Sequence, residues 1–299
     1  MEIIVLGAGA IGSLYGAKLA GENEVILIGR AEHVAAINSH GLRIEGIEPQ
    51  IVRVRAETQV ERIGRDALII LTTKVAGTAA ALRPIAHLVR DDTTILCLQN
   101  GIGNEQIART ALGNRGTVLR GITQFGAIFE SPGVVRFMAR GWTLIEQHER
   151  SAGLAAVLTA AGLDCRISSD IAADVWHKLI VNCVVNPITA VLGCEVGGIA
   201  NPELEPLKRL VIDECTAVAA AEGVTFEINF LREIDEFFRP SHNVASMLQD
   251  LRRGRSTEID YMNGAVIALG ADRGLECPVN RALTGIIKAM EARGPARPN

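Results

Sequence analysis

The sequence predicts two domains of different class, an α/β domain built on a doubly wound parallel sheet and an all-α domain after it. Three observations support this prediction. Apolar stretches of strand length alternate with helical stretches between residues 2 and 98, which is typical of a parallel sheet covered by helices. A glycine-rich turn joins the first strand to the first helix, and the later pattern is almost wholly helical. We therefore expect domains at 1–167 and 168–299.

Composition indicates a soluble enzyme and argues against several partner classes. A length of 299 residues suffices for two domains, and the net charge of -4 offers no basic surface for nucleic acid. The 6 cysteines form no C-x-x-C pair, so we interpret them as buried thiols in a reducing compartment. The 6 histidines show no metal-binding spacing, and we expect no metal site.

The apolar stretches do not predict membrane insertion. The amino terminus lacks a basic region and is interpreted as a strand and turn, not as a signal peptide. The longest apolar stretch, around 179–194, contains two asparagines and a proline and is too short to span a bilayer. We therefore expect a cytoplasmic protein that does not bind a membrane, with a frayed tail at 294–299.

The first strand, at 2–6, is followed by the pattern G-x-G-x-x-G and then a helix at 13–20. This order is the context that a dinucleotide-binding loop requires. Gly7 permits the tight turn, Gly9 lets the backbone approach a pyrophosphate, and Gly12 lets the helix pack close to the strand. Amides at the helix start face the anion. The predicted cofactor-binding loop comprises Gly7, Ala8, Gly9, Ala10, Ile11 and Gly12.

The end of the second strand, at 24–28, indicates which dinucleotide is bound. An NAD site would carry an acidic residue here to accept a hydrogen bond from the ribose 2′-hydroxyl, but the chain has Gly29 and Arg30. An arginine cannot accept such a bond and suits a 2′-phosphate instead. The sequence therefore points to NADP (NADPH), with a solvated loop arginine as the alternative.

Further strands are predicted at 51–55, 67–72 and 94–98, and polar residues follow the last two. Ligands of doubly wound sheets bind at the carboxyl ends of the strands. Lys74 could meet a cofactor phosphate or be an exposed loop lysine. Asn100 could bond the nicotinamide ribose or the substrate, or could simply form the Asn-Gly turn.

Residues 117–147 alternate and contain several glycines, which predicts that antiparallel strands extend the sheet. The residues at 131–133 are expected to form a turn between two of these strands. A helix at 151–161 and a short strand at 164–167 are expected to complete the first domain.

The segment 174–190 is predicted to be a buried helix interrupted by three polar residues, Lys178, Asn182 and Asn186. Because they are four residues apart, they form one polar stripe on an otherwise apolar helix. Burying an amide or ammonium without partners is costly, so the stripe should face either a ligand or a hydrogen-bond ladder between helices. Pro187 is expected to bend or end the first helical segment and to expose nearby carbonyls.

The second domain should begin with an N-cap at 168–170, and its predicted helices are 170–192, 203–222, 230–237, 242–252, 256–270 and 278–292. Two polar residues in this half are notable. Ser246 could be an ordinary helix hydroxyl, and Glu258, near a helix start, could merely complement the helix dipole. The apolar helices could also cover a homodimer interface, although helices packed inside one domain show the same pattern.

Taken together, these segments resemble those of the ketopantoate reductase (2-dehydropantoate 2-reductase) family. The resemblance is carried by GAGAIGSLYG at the start, LTTK, QNG, WHKLIVNCVVNPITA, SMLQD, GRSTEIDYMNG and CPVN, and only 224–241 looks idiosyncratic. It implies a Rossmann-type domain followed by a helical domain, with the active site between them. It also implies NADPH as hydride donor and a branched 2-oxo acid, a small molecule, as acceptor.

The resemblance also implies a role for each matching residue. Lys178 would be the general acid and contact the substrate. Asn182, Asn186 and Ser246 would bind the substrate, and Asn100, Gly126 and Glu258 would bind the cofactor or help to close the site. One position departs from the family pattern, because Val196 stands where members often carry a substrate-binding asparagine. Backbone amides of the loop around Val196 are expected to take over that role.

The residue types suit ketone reduction, in which negative charge develops on the carbonyl oxygen. A lysine ammonium both donates a proton to that oxygen and stabilises its charge. The leading hypothesis is therefore reduction of 2-dehydropantoate to pantoate, a step toward coenzyme A. The alternatives are a related reductase of another 2-oxo acid, a 3-hydroxyacid dehydrogenase, and a non-catalytic NADP-binding protein.

Overall fold

The computed structural model describes residues 1–293 and contains two compact units. The sheet unit comprises residues 1–99 and 103–171, and the helical unit comprises residues 100–102 and the chain from residue 172. The α/β class predicted for the first half and the all-α class predicted for the second are confirmed. The expected frayed tail at 294–299 lies outside the described residues.

In the described part of the sheet unit, the strands and helices follow one another as β1 (Glu2–Leu6), α1 (Ala10–Leu19), β2 (Glu24–Ile28), α2 (Ala31–His40), β3 (Leu42–Gly46), β4 (Gln50–Val52), β5 (Arg55–Glu57), β6 (Leu68–Leu71), α3 (Thr78–Leu82), β7 (Thr94–Cys97), α4 (Asn104–Leu112), β8 (Thr117–Thr123), β9 (Gly126–Ser131), β10 (Val134–Ala139), β11 (Thr143–Ile145), α5 (Ser151–Ala160) and β12 (Cys165–Ile167).

The larger sheet has eight strands in the order β12-β11-β8-β7-β6-β1-β2-β5. Strand β1 pairs in parallel with both β2 and β6, so the chain winds away from β1 in both directions. The sequences of β6, LIIL, and β7, TILC, are buried throughout, as expected for strands covered on both faces. The gap between the loops that follow β1 and β6 is the topological switch point, where such sheets bind ligands.

A second sheet of four strands, in the order β4-β3-β10-β9, was not predicted. The single strand expected at 51–55 is wrong, because β4 pairs with β3 in this sheet and β5 pairs with β2 in the larger one. Of the strands expected to extend the larger sheet, only β8 and β11 do so, and β8 is parallel to β7. Strands β9 and β10 form a hairpin in the second sheet, joined by the predicted turn. Alternating hydrophobicity indicates a strand but not its partner.

The helical unit contains α6 (Ile171–Leu192), α7 (Glu205–Ala221), α8 (Phe230–Phe238), α9 (Ser246–Arg252), α10 (Asn263–Asp272) and α11 (Pro278–Arg293) within the described residues. The helices predicted at 242–252 and 256–270 begin later than expected. Backbone carbonyls of Ser241 and Asn243 accept hydrogen bonds from another loop, so that stretch is not helical. A 3₁₀ turn at Ile259–Tyr261 precedes α10.

Helix α6 is the central apolar element of the helical unit. It spans nearly the whole of the predicted helix at 170–192 and continues through Pro187, so of the two effects expected of the proline, a bend or an end, the end does not occur. By length and composition alone α6 could cross a membrane. However, 67% of its most apolar 18-residue stretch is buried inside the protein, as in the core helix of a soluble protein. The side chains of Leu179, Ile180 and Val184 lie in one core with residues of α7, α10 and α11.

The cysteines are free thiols, and all but Cys194 are buried, which confirms their interpretation as small core residues. Burial raises the pKa of Cys97 and of Cys165 to about 12, and that of Cys277 to about 11. These thiols are therefore protonated at neutral pH and have little nucleophilic character.

Candidate functional site

The glycine-rich loop has the geometry of an anion-binding turn. Gly7 has a φ of 113°, and a side chain there would clash with the backbone of Thr72 and Thr73. A side chain at Gly12 would clash with the carbonyl of Gly7, so the start of α1 packs directly on the end of β1. Gly9, in contrast, is exposed, and a Cβ there would come no closer than 4.0 Å, to the carbonyl oxygen of Gly7.

Helix α1 starts at Ala10 with Gly9 as its N-cap, so the amides of its first turn have no acceptor within the helix. These amides and the helix dipole favour a bound anion. The structure thus brings together, in one exposed turn at the switch point, all residues of the predicted loop. Ala8 and Gly12 are the buried members of the loop, and Ala10 and Ile11 are half-buried. The site fits a dinucleotide pyrophosphate.

The end of β6 lies beside this loop. The Thr72 hydroxyl donates to the Gly7 carbonyl at 2.9 Å, which fixes the two strand ends to each other. Lys74 is exposed two residues later and begins a short 3₁₀ turn. Lys74 therefore lies at the edge of the sheet where the glycine loop also lies, and this position is compatible with both alternatives, a contact to a cofactor phosphate and an exposed loop lysine.

Gln99 fixes the same edge and was missed by sequence reasoning. Its buried side-chain amide donates to the Thr73 carbonyl at 3.0 Å and to the Thr78 hydroxyl at 2.6 Å. It thus fastens the loop after β6 to the end of β7. Its place in the Gln-Asn-Gly triplet directly after a buried strand was the available signal, but the spacing did not reveal its partners.

Arg30 lies at the carboxyl end of β2, next to the glycine loop, as the N-cap residue of α2. Its side chain is exposed and has no ion-pair partner among the described residues. The backbone amides of Gly7 and Ala8 both donate to the carbonyl of Ile28, so the end of β2 is fixed to the loop. A guanidinium in this position is available for an added phosphate group.

A buried histidine, His33, joins the elements that carry these residues and was also missed. Its Nδ1 accepts from the Gly133 amide at 2.8 Å, and its Nε2 lies 3.0 Å from the Ser13 hydroxyl. Because an amide can only donate, Nδ1 carries no proton, and Nε2–H donates to Ser13. Burial lowers the pKa of His33 to about 4. The neutral ring therefore links α1, α2 and the β9–β10 turn.

Gly126, which the family resemblance assigned to the cofactor, is the first residue of β9 in the second sheet. It pairs with Ala139 of β10, and a side chain on Gly126 would press against that alanine. Its half-buried backbone is held by this hairpin. The hairpin is in turn attached to α2 through Gly133 and His33.

In the helical unit, the polar stripe occupies one face of α6. Lys178 and Asn182 are half-buried, whereas Leu179, Ile180 and Cys183 on the opposite side are fully buried. Asn186 is also buried, and its amide donates to the Met262 sulfur at 3.5 Å. Asp174, one turn before Lys178, is half-buried on the same face and could have been found from the same spacing.

Asn100 and Glu258 belong to segments that meet in the helical unit. Asn100 is half-buried, and the next residue, Gly101, packs against the backbone of Tyr261. Glu258 is half-buried and begins the 3₁₀ turn that contains Tyr261. Ser246 is the exposed first residue of α9, so its hydroxyl is not in a helix interior.

The loop around Val196 does not behave as expected. The Val196 side chain is buried in the core, and its amide donates to the carbonyl of Asn243 at 2.8 Å. The amides of Gly197 and Gly198 donate to the carbonyls of Ser241 and Glu195. The prediction that these amides replace the missing asparagine is therefore wrong, because all three are already used within the protein.

The two units supply different chemistry. The sheet unit offers an exposed anion-binding turn flanked by a guanidinium and an ammonium. The helical unit offers the Lys178 ammonium with two amide groups one and two turns away. Among residues 1–293 there is no group of three or more histidine, cysteine, aspartate or glutamate side chains that could hold a metal ion. Acid catalysis by an ammonium requires no metal.

Comparison with known proteins gives consistent matches over both units. Residues 3–150 match the family described as "Ketopantoate reductase PanE/ApbA", and residues 170–291 match "Ketopantoate reductase PanE/ApbA C terminal". The chain is 39% identical over 303 residues to the 2-dehydropantoate 2-reductase of Pyrococcus abyssi (strain GE5 / Orsay), covering 98% of each protein.

Two solved structures are similar over almost the whole chain. The PanE/ApbA family ketopantoate reductase from Ralstonia eutropha JMP134 has a TM-score of 0.90 and 33% identity, covering 98% of this chain and 99% of that one. The ternary structure of D-mandelate dehydrogenase with NADH and anilino(oxo)acetate has a TM-score of 0.89 and 30% identity, with the same coverage. Both proteins share the order of a sheet unit and a helical unit with this chain.

Proposed function

Because the chain belongs to the ketopantoate reductase family, we propose that it reduces 2-dehydropantoate to pantoate with NADPH, a step toward coenzyme A. The observation that carries the proposal is the polar stripe on α6, formed by the half-buried Lys178 and Asn182 and the buried Asn186, in an otherwise largely apolar helix. A chain that only bound the dinucleotide would have no need for this stripe, whose polar groups are costly to bury.

Lys178 is proposed as the general acid and as a substrate contact. In the reduction a hydride adds to the carbonyl carbon, and the oxygen takes up a proton. An ammonium placed against that oxygen donates the proton and stabilises the charge that develops beforehand. Lys178 is half-buried, so part of the side chain remains accessible to a ligand.

Asn182, Asn186 and Ser246 are proposed to bind and orient the 2-oxo acid. Asn182 is half-buried one turn after Lys178, and its amide can bond the carboxylate or hydroxyl of the substrate. Asn186 is more buried and donates one N–H to the Met262 sulfur, and its second N–H and its amide oxygen are the groups proposed to meet the substrate. The exposed Ser246 hydroxyl starts α9.

The residues of the glycine loop, Gly7 to Gly12, are proposed to hold the pyrophosphate of NADPH, with Arg30 and Lys74 on its 2′-phosphate and Asn100, Gly126 and Glu258 along the rest of the molecule. Two observations support this assignment, the exposed backbone at Gly9 and the exposed guanidinium of Arg30, which has no ion-pair partner among residues 1–293. When bound, NADPH supplies the hydride. Arg30 prefers a phosphate to a bare ribose hydroxyl because a guanidinium has no acceptor atom.

A second candidate is reduction of a different 2-oxo acid. It is favoured by the buried Val196 and its occupied neighbouring amides, which leave this loop without the side-chain donor that the family resemblance implies here. The similarity to D-mandelate dehydrogenase indicates one chemical class, 2-oxo acids with an aromatic substituent.

The test is the loss of NADPH absorbance with purified protein. 2-Dehydropantoate, benzoylformate and pyruvate would each be assayed with NADPH and with NADH at equal concentrations. A kcat/KM that is highest for 2-dehydropantoate with NADPH is expected. A higher kcat/KM for benzoylformate would favour the second candidate. If NADPH and NADH are not oxidised with any of the three acids, the proposal that the chain is a 2-oxo acid reductase is refuted.

We also propose a cytoplasmic location, since the buried thiols suit a reducing compartment. No partner other than small molecules is invoked for the reaction. The homodimer raised by the sequence remains a prediction, which the molar mass measured by light scattering would test.

A further inference from the structure

Pro187 creates an unfilled position in the hydrogen-bond ladder of α6. A proline has no N–H, so the carbonyl of the residue four positions earlier, Cys183, loses its helical partner. Cys183 is fully buried, and leaving its carbonyl without a hydrogen-bond donor would be destabilising. The side-chain amide of Asn263 fills the position, donating to the Cys183 carbonyl at 3.0 Å.

Asn263 is itself held in one orientation. It is fully buried, and its Nδ2 also donates to Oδ1 of Asn280 at 2.8 Å. Nδ2 of Asn280 donates to Glu214 at 2.7 Å, and the same carboxylate accepts the backbone amides of Val279 and Asn280. Both hydrogens of the Asn263 amide are therefore used, and α7 and α11 determine where they point.

The segment that ends in Asn263 reaches the other candidate groups of the helical unit. Met262 accepts from the amide of Asn186, and the carbonyl of Tyr261 lies so close to Gly101 that no side chain could fit there. Glu258 starts the same segment. Residues 258–263 thus contact both α6 and the loop at 100–102.

We propose that Asn263 is a positioning residue for the reduction. Asn263 donates to the Cys183 carbonyl, which lacks a helical donor because of Pro187. This bond fastens the turn of α6 that carries Asn182 and Asn186 to the segment that carries Glu258. This inference rests on the proposed function, because Asn263 acts only through residues assigned there. A small displacement of such groups can cost up to about 10²-fold in rate.

The experiment uses N263A alone and combined with P187A. In P187A the new backbone N–H can bond the Cys183 carbonyl, so Asn263 is no longer needed for that bond. We expect N263A to lower kcat about 10-fold or more in the wild-type background. In P187A/N263A the Cys183 carbonyl is satisfied within the helix, but α6 is still not fastened to residues 258–263, so kcat should stay low relative to P187A while the melting temperature recovers. A purely structural role would restore kcat together with the melting temperature.

T189V is the matched control. Thr189 is fully buried on the same helix and donates to the Val185 carbonyl at 2.7 Å, but its bond does not involve residues 258–263. Its kcat should remain within about twofold of wild type, since Val185 keeps its helical partner. Circular dichroism and NADPH titration of each variant check that it is folded.

Two results would overturn the proposal, an N263A protein with wild-type kcat and a P187A/N263A protein whose kcat equals that of P187A. If N263A does not fold, P187A/N263A carries the test, and either its failure to fold or a kcat equal to that of P187A would overturn the proposal. An inactive wild-type protein would instead refute the proposed function. Thermal unfolding of the wild type, N263A, P187A and P187A/N263A would then still measure the energetic coupling between positions 187 and 263.

Discussion

The neutral, buried His33 makes the stability of the sheet unit depend on pH. Its ring joins Ser13 on α1 to Gly133 in the β9–β10 turn, and protonating Nδ1 would break the bond from the Gly133 amide. The folded pKa is about 4, below the ordinary value of 6.5. Between these values the unfolded chain takes up a proton that the folded protein does not. The free energy of unfolding should therefore fall as the pH drops from 6.5 toward 4.

The size of the effect follows from the difference between the two pKa values. Each pKa unit corresponds to about 1.4 kcal/mol, so lowering the pH from 7 to 5 should cost up to about 2 kcal/mol. Near pH 4 the loss should approach an upper limit of about 3 kcal/mol. Above pH 7 both states are neutral, and His33 should contribute no pH dependence.

The assay is urea denaturation followed by circular dichroism at pH 7, 6 and 5, comparing wild type with H33Q. Glutamine cannot titrate, so the decline in the free energy of unfolding between pH 7 and 5 should be smaller in H33Q by about 2 kcal/mol. H40Q is the control, because His40 is an exposed histidine at the end of the same helix. Equal pH dependence in wild type and H33Q would refute the reasoning.

Three further predictions concern the reaction. K178A should lower kcat by about 10²–10⁴-fold. The control K288A removes an exposed lysine paired with Asp260 and should leave kcat unchanged. Unchanged turnover in K178A would exclude Lys178 as the general acid. R30A should raise KM for NADPH about 10-fold or more, because charge-assisted bonds to a phosphate contribute about 1.5–3 kcal/mol. KM for NADH should remain nearly unchanged. An equal change for both cofactors would contradict a contact between Arg30 and the 2′-phosphate. N182A should mostly raise KM for the 2-oxo acid with a smaller loss of kcat; the reverse pattern would mean that Asn182 acts chiefly in the transition state.

The part of the site that could be predicted from sequence depends on short spacings. The glycine loop is contiguous, Arg30 and Lys74 directly follow strands, and the polar stripe on α6 repeats every four residues. Local geometry therefore determines which residues share a face or an edge. For the same reason the fold class of each half could be predicted, since alternation of strands and helices is itself a local pattern.

What could not be predicted depends on residues far apart in the chain. His33 lies 100 residues from Gly133, and Asn263 lies 80 residues from Cys183. Nothing in the neighbourhood of either residue indicates its partner. The second sheet was missed for the same reason, because β3 and β10 are joined only in the folded protein.

Pro187 shows how such a distant partner changes the meaning of a local signal. A proline inside a helix removes one hydrogen bond and usually costs about 3 kcal/mol or more, so a bend or an end of the helix was the local expectation. The lost bond is replaced by Asn263 instead, and α6 continues to Leu192. The energy that would break an isolated helix is thus partly offset by a side chain from another segment. Asn263 donates to the carbonyl that lacks a helical donor because of Pro187. Substitution of Asn263 is therefore expected to reduce kcat as substitution of the residues on the polar stripe does.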